Sequence, residues 1–403
     1  MVDGAVEPGD RRAERTAYAL RLLADDLTGA LDTSAQFAGH CGALPVRWDD
    51  LPAACARNAC AVDTGCRELS QGAARSRFAE LIDVLAPAAD CLALLKLDSL
   101  LRGHAGDEIA DCADRWPDRS IVVAPAFPPE RRVTRRGRQY WFDGRRFMAT
   151  GEDLCATLAA RGVAFDIRRP GAAIPAGVSI FYAETDADLA MIVAAARPDG
   201  PEPLWCGSAG LGYALAQRSG PGSCGEAEPI LQPLLGLFGT DHPVTRQQLS
   251  AVSQYVLAVT VAGPQVAPAI EDAMRSRGAA FIPFALPAGV TRAGARDAID
   301  AIMTDMLPRL PRPQTLVVSG GETLRAACGI LGADHLVVDG QIAPGIPSSR
   351  IRGGAWDGVR VISKSGAFGA PDLLRNLVEH SSTGVSTGVS TGVKEQPSCH
   401  TSR

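Results

Sequence analysis

Short apolar runs, each ending in a polar or glycine-rich turn, recur along the chain and constrain its fold more than any other feature. Near-continuous Val, Leu and Ile runs of this length are typical of strands buried on both faces of a parallel sheet. Stretches with helical spacing separate them, and this alternation predicts an α/β protein whose sheets are covered by helices. The predicted strands lie within residues 19–26, 59–65, 91–99, 120–127, 178–185, 203–208, 234–241, 255–263, 279–286, 315–322, 335–340 and 358–366. The predicted helices lie within 29–42, 72–88, 106–116, 186–196, 267–278, 293–310 and 370–380.

The length of 403 residues predicts two or three domains, at roughly 100–200 residues each. A stretch rich in Gly, Pro and Ser, RSGPGSCGEAEP at 218–229, separates two α/β halves of similar size and is the predicted linker. We therefore predict one domain over 18–217 and a second over 230–380. The tails, 1–17 and 381–403, are expected to be flexible, since the second carries a four-residue repeat of small residues.

Composition excludes several classes of protein. The chain has 40 basic and 45 acidic residues, so its net charge of −5 argues against broad neutralisation of nucleic-acid phosphates. No apolar run approaches the ~20 residues of a membrane helix, and the charged N-terminus lacks the apolar region of a secretory signal. The 11 cysteines are scattered without a C-x₂-C pair, which disfavours a zinc knuckle and a disulfide framework. A reducing cytoplasm is the expected compartment.

Polar residues and glycines follow most of the predicted strands. Ligands of open α/β sheets bind beyond the carboxyl ends of the strands, so these positions are the first candidates for a site. Lysine is scarce, with three residues against 37 arginines, and two of the lysines, Lys96 and Lys364, fall at strand ends. A compact ammonium group is not always replaceable by the planar fork of arginine, so these two lysines are candidate site residues.

The segment LLADDLTGALD places Asp25 and Asp26 at a strand end, directly before a helix. A carboxylate there can accept a hydroxyl proton or bind a metal. The structural alternative is that Asp26 or Thr28 caps the helix. One of the two aspartates is expected to be a cap, and which of the two acts as a base is left open.

The segment LKLDSLLRGHAGDE places four polar side chains within seven residues after an apolar strand: Lys96, Asp98, Ser99 and Arg102. This cluster suits a small anion that carries a carboxylate and several hydroxyls, with arginine pairing the carboxylate in bidentate fashion. The alternative is an internal ion network with a serine cap. Asp63 and Arg67, in VDTGCR, present a similar but weaker case.

Two glycine-containing turns follow strands in the second half. VVSGGETLRAA (317–327) predicts a strand, a Gly-Gly turn and a helix whose N-terminus favours a phosphate. In KSGAFGAPD (364–372), Lys364 could pair with phosphates while Gly366 and Gly369 allow close approach. The alternatives are a tight turn in the first segment and a loop before the last helix in the second.

Other catalytic signatures are missing from the sequence. GSAGLG at 207–212 has the wrong glycine spacing for a dinucleotide fingerprint, and no P-loop motif occurs. The six histidines show no metal-binding spacing, and no G-x-S-x-G elbow is present.

Eight blocks, in order along the chain, carry a resemblance to a known family. They are ADDLTGALDT (24–33), KLDSLLRGHAGDEI (96–109), APAFPPERR with GRQYWFDG (124–144), GSAGLG (207–212), GTDHPVTRQQL (239–249), SGGET (319–323), APGIP (343–347) and KSGAFGAPD (364–372). From about residue 18 to 380, the chain resembles the four-carbon acid sugar kinases, which are ATP-dependent kinases of threonate, erythronate and 3-oxo-tetronate. The family has a sugar-acid-binding N-terminal domain and a nucleotide-binding C-terminal domain.

The resemblance implies an active site in the cleft between two α/β domains with mainly parallel sheets. Asp25 and Asp26 would be catalytic there, and the C4 hydroxyl of the acid would receive the γ-phosphoryl group of ATP in the presence of Mg²⁺, for which no ligands are assigned. The residues implied to bind the acid are Arg67, Lys96, Asp98, Ser99 and Arg102, with Arg102 as the carboxylate clamp. Those implied to bind ATP are Thr240, His242, Gly320, Gly321, Glu322, Thr323, Lys364, Gly366 and Gly369.

The sequence departs from the usual family pattern at Leu100, His104, Thr240 and Ala367, and Tyr182 stands where an acidic residue often ends a strand. Two other classes of function therefore stay open: a non-catalytic sensor that uses the same cleft, and a nicotinamide-dependent dehydrogenase, which the glycine spacing disfavours. The expected partners are a small sugar acid and ATP, with neither nucleic acid nor membrane. The choice between a monomer and a homo-oligomer is left open, as is the stereoisomer of the acid.

Overall fold

The computed structural model describes residues 19–48, 59–88, 91–197, 200–218, 220, 228–285 and 289–383. The strands are β1 (Ala19–Ala24), β2 (Leu44–Arg47), β3 (Cys60–Asp63), β4 (Cys91–Lys96), β5 (Ser120–Ala124), β6 (Arg132–Arg135), β7 (Arg138–Phe142), β8 (Phe147–Ala149), β9 (Phe165–Arg168), β10 (Gly177–Phe181), β11 (Leu204–Gly207), β12 (Leu231–Gln232), β13 (Leu234–Phe238), β14 (Ala279–Pro283), β15 (Thr315–Ser319), β16 (His335–Ala343), β17 (Ile346–Arg352), β18 (Arg360–Lys364) and β19 (Ser382–Thr383). The helices are α1 (Leu27–Cys41), α2 (Gln71–Leu81), α3 (Ala105–Arg115), α4 (Leu154–Ala160), α5 (Asp186–Ala194), α6 (Ala209–Arg218), α7 (Pro243–Ser250), α8 (Val266–Arg277), α9 (Arg292–Met306), α10 (Gly321–Ile330) and α11 (Leu373–Glu379).

The α/β class and the mainly parallel sheet predicted from the sequence are confirmed. The N-terminal half, residues 19–218, contributes parallel strands in the order β2-β3-β1-β4-β11-β5-β10-β9. The C-terminal half, residues 228–383, contributes the parallel set β14-β13-β15-β18. The strands in the middle of each set, such as β4 and β13, are buried at every residue, which explains their uninterrupted apolar sequences.

The two parallel sets belong to one 14-stranded sheet, because the hairpin β16–β17 joins them. β16 pairs antiparallel with β2, through Leu336 and Val46, and β17 pairs antiparallel with β18. The parallel strands of the C-terminal half therefore run opposite to those of the N-terminal half. Strand twist of about 20–25° per step accumulates over the strands between β3 and β15, and this rotation brings the two sets of carboxyl ends towards each other.

Helices cover both faces of the sheet and complete its core. α1 packs on the face of β1 and β2 and also contacts β16, so it touches strands of both halves. One continuous apolar cluster extends along this face from Leu20 to Val361. The opposite face has a separate cluster for each half, around Phe78 in the N-terminal half and Phe281 in the C-terminal half. α1 thus packs against strands of both halves and fixes their relative position.

One predicted strand is wrong. Residues 255–263 form no ladder and make two isolated bridges beside β14, at Val256 and Val259. Val261 is 68% exposed, so the outer side of this segment has no partner to extend the pairing. The predicted strand at 335–340 lies within β16, but β2, the hairpin partner β17 and the three-stranded antiparallel sheet β6–β7–β8 were not predicted.

The predicted domain limits are only partly visible. α6 runs to Arg218, while most of the predicted linker, the predicted N-terminal tail and the predicted C-terminal tail beyond Thr383 lie outside the described residues. Ser382 and Thr383, which the prediction assigned to the C-terminal tail, pair with β12. No helix of the described part is long and apolar enough to cross a membrane.

Candidate active site

A cavity of about 1050 Å³ lies where the carboxyl ends of the two strand sets meet. Register explains the convergence, because Ala24 pairs with both Asp63 and Lys96 on one side, and Ser319 pairs with both Phe238 and Lys364 on the other. The segments after these residues turn into one opening. The predicted site residues that line it are Asp25, Asp26, Arg67, Lys96, Asp98, Ser99, Arg102, Thr240, Gly320, Gly321, Glu322, Thr323 and Gly366.

Arg67 ties together the two aspartates that end β1. Its Nε and Nη2 donate to the two carboxylate oxygens of Asp25, at 2.8 and 2.7 Å, and its Nη1 donates to Asp26 Oδ2 at 2.5 Å. Burial alone would lower the pKa of Arg67, but attraction to the two carboxylates raises it well above the ordinary arginine value. Both aspartates line the cavity, but the Asp25 side chain is 4% exposed and the Asp26 side chain 25%, so Asp26 is the more accessible carboxylate.

Asp26 also starts α1. Its Oδ1 accepts a hydrogen bond of 2.8 Å from the backbone N–H of Gly29, which is the cap that the sequence predicted for one of the two aspartates. Thr28, in the first turn, lies against Gly321, where a Cβ atom would overlap Thr28 Oγ1 and come within 3.3 Å of the Thr28 nitrogen. Gly321 is the first residue of α10, so the N-termini of α1 and α10 meet at the cavity.

Asp98 and Arg102 form a second ion pair on the cavity wall. Arg102 Nε and Nη2 donate to the two oxygens of Asp98 at 2.8 and 2.6 Å, and Arg67 Nη2 lies 3.7 Å from Asp98 Oδ1. Burial by itself would raise the pKa of Asp98, but the hydrogen bonds from Arg102 and the attraction of Arg67 hold it well below its usual range. Asp98 is therefore a fixed negative charge, and its pairing with Arg102 matches the structural alternative of an internal ion network; its predicted contact with the acid stays a prediction.

Lys96 is buried behind the two aspartates. Its Nζ donates to the backbone oxygen of Leu97 at 3.0 Å and would lie 3.1 Å from a Cβ atom at Gly29. Asp32, one turn further along α1, also lines the cavity. Burial raises the pKa of Asp32 to about 6, against the attraction of Lys96.

Ser99 lies beside an arginine that the sequence analysis did not single out. Arg132 Nη1 donates to Ser99 Oγ, and both residues line the cavity. The backbone of Ser99 is held by Gln139, whose Nε2 donates to the Ser99 oxygen at 2.9 Å and to the Pro125 oxygen at 3.1 Å. The buried Gln139 lies on β7, so the small antiparallel sheet supports this wall of the cavity.

On the opposite wall, the loops after β13, β15 and β18 pack directly on one another. A Cβ atom at Gly366 would lie 2.6 Å from Thr240 Oγ1, and one at Gly239 would overlap Thr323 Oγ1. Gly320 has a φ of 113°, which side chains rarely adopt, and it precedes the first turn of α10. These glycines bring backbone to the cavity surface at a helix N-terminus, which is the arrangement that suits a phosphate group.

Three residues predicted to contact ATP do not line the cavity: His242, Lys364 and Gly369. The Lys364 ammonium group is buried and donates to Thr245 Oγ1 at 2.9 Å, to Ser319 Oγ at 3.2 Å and to the Ser365 oxygen at 3.0 Å. Burial lowers the pKa of Lys364 to about 8. In this structure the ammonium group holds the loop after β18 rather than facing the opening.

His242 and Gly369 have structural contacts. His242 caps α7, with Nδ1 accepting a hydrogen bond of 3.3 Å from the Val244 N–H. The Gly369 oxygen accepts a hydrogen bond of 3.0 Å from Gln248 Nε2, and its φ is 93°. Both residues shape the segments that border the cavity, and their predicted contact with ATP stays a prediction.

Two contacts join the halves at the cavity, and all of their residues line it. Arg325, on α10, forms an ion pair with Asp63 at 3.2 Å and lies over the Trp48 ring, 5.2 Å from its centroid. Phe127 and Phe368, from opposite halves, contact edge to face with their centroids 6.3 Å apart. Burial raises the pKa of Asp63 to about 7, although the Gly65 N–H and Arg325 oppose this shift.

Sequence reasoning missed several cavity residues, chiefly Arg132, Arg325, Asp32, Phe127 and Phe368. The first four fall outside the few positions directly after a strand, and Phe368 was not weighed among the glycines around it. A signal was present for Arg132 and Phe127, because both lie in the block APAFPPERR that supported the family resemblance. Arg325 carried no such signal, since its contact with Asp63 joins residues far apart in sequence.

Within the described ranges, no group of three or more His, Cys, Asp or Glu side chains is arranged to hold a metal ion. Asp26 and Asp241 are separate acidic side chains on the cavity wall. Mg²⁺ usually takes one or two carboxylates and completes its shell with phosphate oxygens and water. A single carboxylate of this wall would therefore be enough as the protein ligand of a magnesium ion that arrives with a nucleotide.

Two family models match the chain on either side of the predicted linker. A sugar-binding N-terminal domain matches residues 20–163, and a nucleotide-binding C-terminal domain matches residues 235–374. The class of protein is therefore a two-domain protein with one sugar-binding and one nucleotide-binding domain. The chain belongs to the four-carbon acid sugar kinase family, as the sequence blocks indicated.

Curated relatives cover almost the full length of the chain. A D-threonate kinase of Bordetella bronchiseptica is 27% identical over 395 residues, covering 88% of this chain and 95% of the relative. A D-threonate kinase of Cupriavidus necator is 29% identical over 408 residues, covering 87% and 94%. These identities leave the substrate of this chain to be determined.

Solved structures share the fold. A protein of Salmonella typhimurium described as a putative tRNA synthase superposes with a TM-score of 0.67 at 16% identity, covering 89% of this chain and 98% of the other. A Haemophilus influenzae protein of the DUF1537 family superposes with a TM-score of 0.65, at the same identity and coverage. At this identity the likeness concerns the two-domain α/β architecture alone.

Proposed function

We propose that the protein is an ATP-dependent kinase that phosphorylates the terminal C4 hydroxyl of a four-carbon sugar acid. The observation that carries the proposal is the shared cavity, in which the charged cluster after β1 and β4 faces the N-terminus of α10. Phosphoryl transfer needs mainly positioning and neutralisation of charge, and this cavity offers both. Its volume of about 1050 Å³ accommodates a nucleotide beside a small acid.

Asp26 is the proposed partner of the attacking hydroxyl. It is the more exposed of the two aspartates, and its two fixed hydrogen bonds, from Gly29 and Arg67, hold its carboxylate in one orientation. From there it orients the hydroxyl group and accepts its proton as the bond to phosphorus forms. Asp25, held by two hydrogen bonds to Arg67, acts as a positioning residue, because it fixes the guanidinium group that contacts Asp26.

The nucleotide end of the proposal rests on Gly320, Gly321 and the first turn of α10. Backbone N–H groups at a helix N-terminus, together with the helix dipole, favour phosphate oxygens. The N-terminus of α1 meets that of α10 at Thr28 and Gly321, so the positive ends of both dipoles lie near the proposed transfer point. Mg²⁺ would arrive with the nucleotide and neutralise part of the charge on its phosphates.

D-Threonate is the first candidate substrate, because it is the acid named for the relatives that match most of the chain. Erythronate and 3-oxo-tetronate differ from it only around C2 and C3, and they share its carboxylate and its terminal hydroxyl. The hydroxyl pattern is read by side-chain geometry. The substrate panel must therefore contain all these acids and their mirror images.

A coupled assay of ADP release with Mg-ATP and this panel tests the proposal. We expect saturable, acid-dependent ADP release with at least one member, and none without an acid. Saturable binding of an acid without ADP release would instead favour a non-catalytic sensor that uses the same cleft. Reduction of a nicotinamide cofactor by any of these acids would favour the dehydrogenase and contradict the kinase.

A further inference from the structure

Three arginines line the acid-binding end of the cavity, and their pairing differs. Arg67 is engaged on three sides by Asp25 and Asp26, and Arg102 makes a two-point pair with Asp98. Within the described ranges, Arg132 forms no hydrogen-bonded pair with a carboxylate. Its described side-chain contacts are one hydrogen bond to Ser99 Oγ and an ion pair with Glu130 at 3.8 Å. The remaining N–H groups of Arg132 are thus available to a ligand in the cavity.

The pKa shift of Arg132 is also opposite in direction to those of Arg67 and Arg102. Hydrogen bonds to Asp98 raise the pKa of Arg102, and the two aspartates raise that of Arg67. Burial lowers the pKa of Arg132, and the attraction of Glu130 and Asp98 offsets only part of this effect. Its side chain is 19% exposed, against 55% for Arg102. Arg132 is a half-buried cation whose charge its neighbours leave incompletely balanced, so an anion placed there would be bound strongly.

The backbone around Arg132 is fixed before any ligand arrives. Arg132 begins β6, and it exchanges backbone hydrogen bonds with Phe127 at 2.8 and 3.1 Å. Ser99, on the other side, is held through Gln139. A guanidinium group and a hydroxyl group are therefore presented together from two rigid segments, which lowers the entropic cost of binding.

We propose that Arg132 and the Ser99 hydroxyl bind the carboxylate of the sugar acid, and that Arg102 holds Asp98 in place instead of clamping the substrate. This inference rests on the proposed function and names the group that selects an acid over a neutral sugar. Asp98 directly precedes Ser99, and Arg67 links Asp98 to Asp26 through ion pairs with both carboxylates. If the carboxylate of the acid lies at Arg132, its carbon chain therefore extends along Asp98, with the terminal hydroxyl towards Asp26.

The test compares Arg132→Gln and Arg132→Lys with Arg102→Gln, using the best acid of the panel and threitol, a neutral four-carbon polyol, as acceptors. Loss of a charge-assisted pair predicts that R132Q raises the KM for the acid about 10- to 150-fold. The KM for ATP should stay within twofold, and kcat/KM for threitol should not fall. R132K, which keeps the charge without the planar fork, should lie between R132Q and the wild type.

Arg131→Gln is the matched control. Arg131 precedes Arg132, but its guanidinium group lies over the Phe142 ring at 3.5 Å from the centroid and does not line the cavity. We expect R131Q to keep wild-type KM values. R102Q should lower kcat/KM for the acid and for threitol alike, because it releases Asp98 without removing a contact to the carboxylate.

An R132Q variant with a wild-type KM for the acid would overturn the inference, as would an R102Q variant that loses the acid and keeps threitol. Calorimetric binding of the acid distinguishes this result from failure of the kinase itself. If the wild type binds the acid but releases no ADP, the proposed function fails while the weaker binding of R132Q still supports the carboxylate site. R132Q could also lose ATP binding, which would show that the substitution disturbs the whole cavity. The affinity of R132K for the acid is then the deciding measurement. Acid binding by R132K at the wild-type level would contradict the role of the planar guanidinium group. A wild-type chain that binds none of the acids would contradict both proposals.

Discussion

Asp25 and Asp26 are neighbours in sequence, and their environments give them different tasks. Asp25 is buried, and both of its carboxylate oxygens accept hydrogen bonds from Arg67. Asp26 is partly exposed to the cavity and also caps α1. Asp26 is the cap of α1 and the proposed base, so most substitutions of Asp26 would damage the helix and the chemistry together. Asparagine separates the two tasks, since it caps helices as well as aspartate does but cannot take a proton.

Asp26→Asn should lower kcat by about 10²–10⁴, the range expected for a missing general base, with a melting temperature close to that of the wild type. Asp153→Asn is the matched control, because Asp153 caps α4 in the same way, through the Ala156 N–H at 3.2 Å, and does not line the cavity. Rates of ADP release and thermal denaturation give both readouts. Wild-type turnover in D26N would contradict the assignment of the base.

The raised pKa of Asp63 predicts that the stability of the protein depends on pH. Its pKa of about 7 lies above the value of 3.8 for an unperturbed aspartate, so between these values the folded state holds a proton that the unfolded state releases. The contribution of Asp63 to stability is therefore present below about pH 4 and lost as the pH rises through 7. Relative to the wild type, Asp63→Asn should gain stability between pH 4 and 8, on the order of 1–3 kcal/mol. Denaturant titrations at several pH values measure the difference, and a constant difference would contradict the shifted pKa.

At the scale of elements, the site depends on the meeting of two helix N-termini. Gly321 begins α10 and touches Thr28 of α1 so closely that a side chain does not fit. The sequence predicted each helix start but gave no information that the two would meet, because their contact depends on the sheet that joins the halves. The strand-end residues were predictable since parallel strands collect their carboxyl ends at one edge.

Gly321→Ala should separate the two helix starts and lower kcat/KM for ATP by about tenfold or more, as expected for a misplacement of around 1 Å. Gly329→Ala is the matched control within the same helix, because nothing lies within 4 Å of a Cβ atom at Gly329. Alanine in a helix should leave activity unchanged there and stabilise the protein slightly, by about 0.5–1 kcal/mol. Equal loss of activity in both variants would show that α10 acts only as a structural element.

Most of the strand pairings that the sequence could not predict are antiparallel. The hairpin β16–β17, its pairing with β2, and the sheet β6–β7–β8 arise from strand partners chosen by tertiary packing, and the Arg-rich segment 131–146 lacks a clear apolar period. These elements position Arg132 and Gln139. Arg132, in the proposed carboxylate site, therefore lay outside the prediction, while Ser99, Asp25, Lys96 and Asp98 lay within it. Lys364 was predicted at the right loop, but its burial decides that it binds the loop itself.

At the scale of the whole molecule, the two halves share one sheet and close over one cavity. The pair Asp63–Arg325 and the contact Phe127–Phe368 join the halves at the cavity. Closure excludes water from a transferring phosphoryl group and so separates a kinase from an ATPase. Neither contact includes the proposed base, so substitutions in these residues test closure while Asp26 stays intact.

Arg325→Met should weaken closure, lower acid-dependent turnover several-fold, and raise the ratio of ATP hydrolysis to acid phosphorylation. Arg275→Met is the control, because the ion pairs of Arg275 among the described residues are exposed pairs within α8, with Glu271 and Asp272. The ratio follows from ADP release compared with phosphorylated acid in the same reaction. An unchanged ratio in R325M would mean that the pair with Asp63 contributes nothing to closure.

The most direct test of the account is phosphorus NMR of the reaction mixture after ATP is consumed with the preferred acid. Transfer to the C4 hydroxyl predicts a phosphomonoester resonance coupled to the two protons of a terminal CH₂ group, and its appearance should require both the acid and a functional Asp26. Inorganic phosphate as the sole product, or an ester coupled to a single methine proton, would contradict the proposed transfer across this cavity.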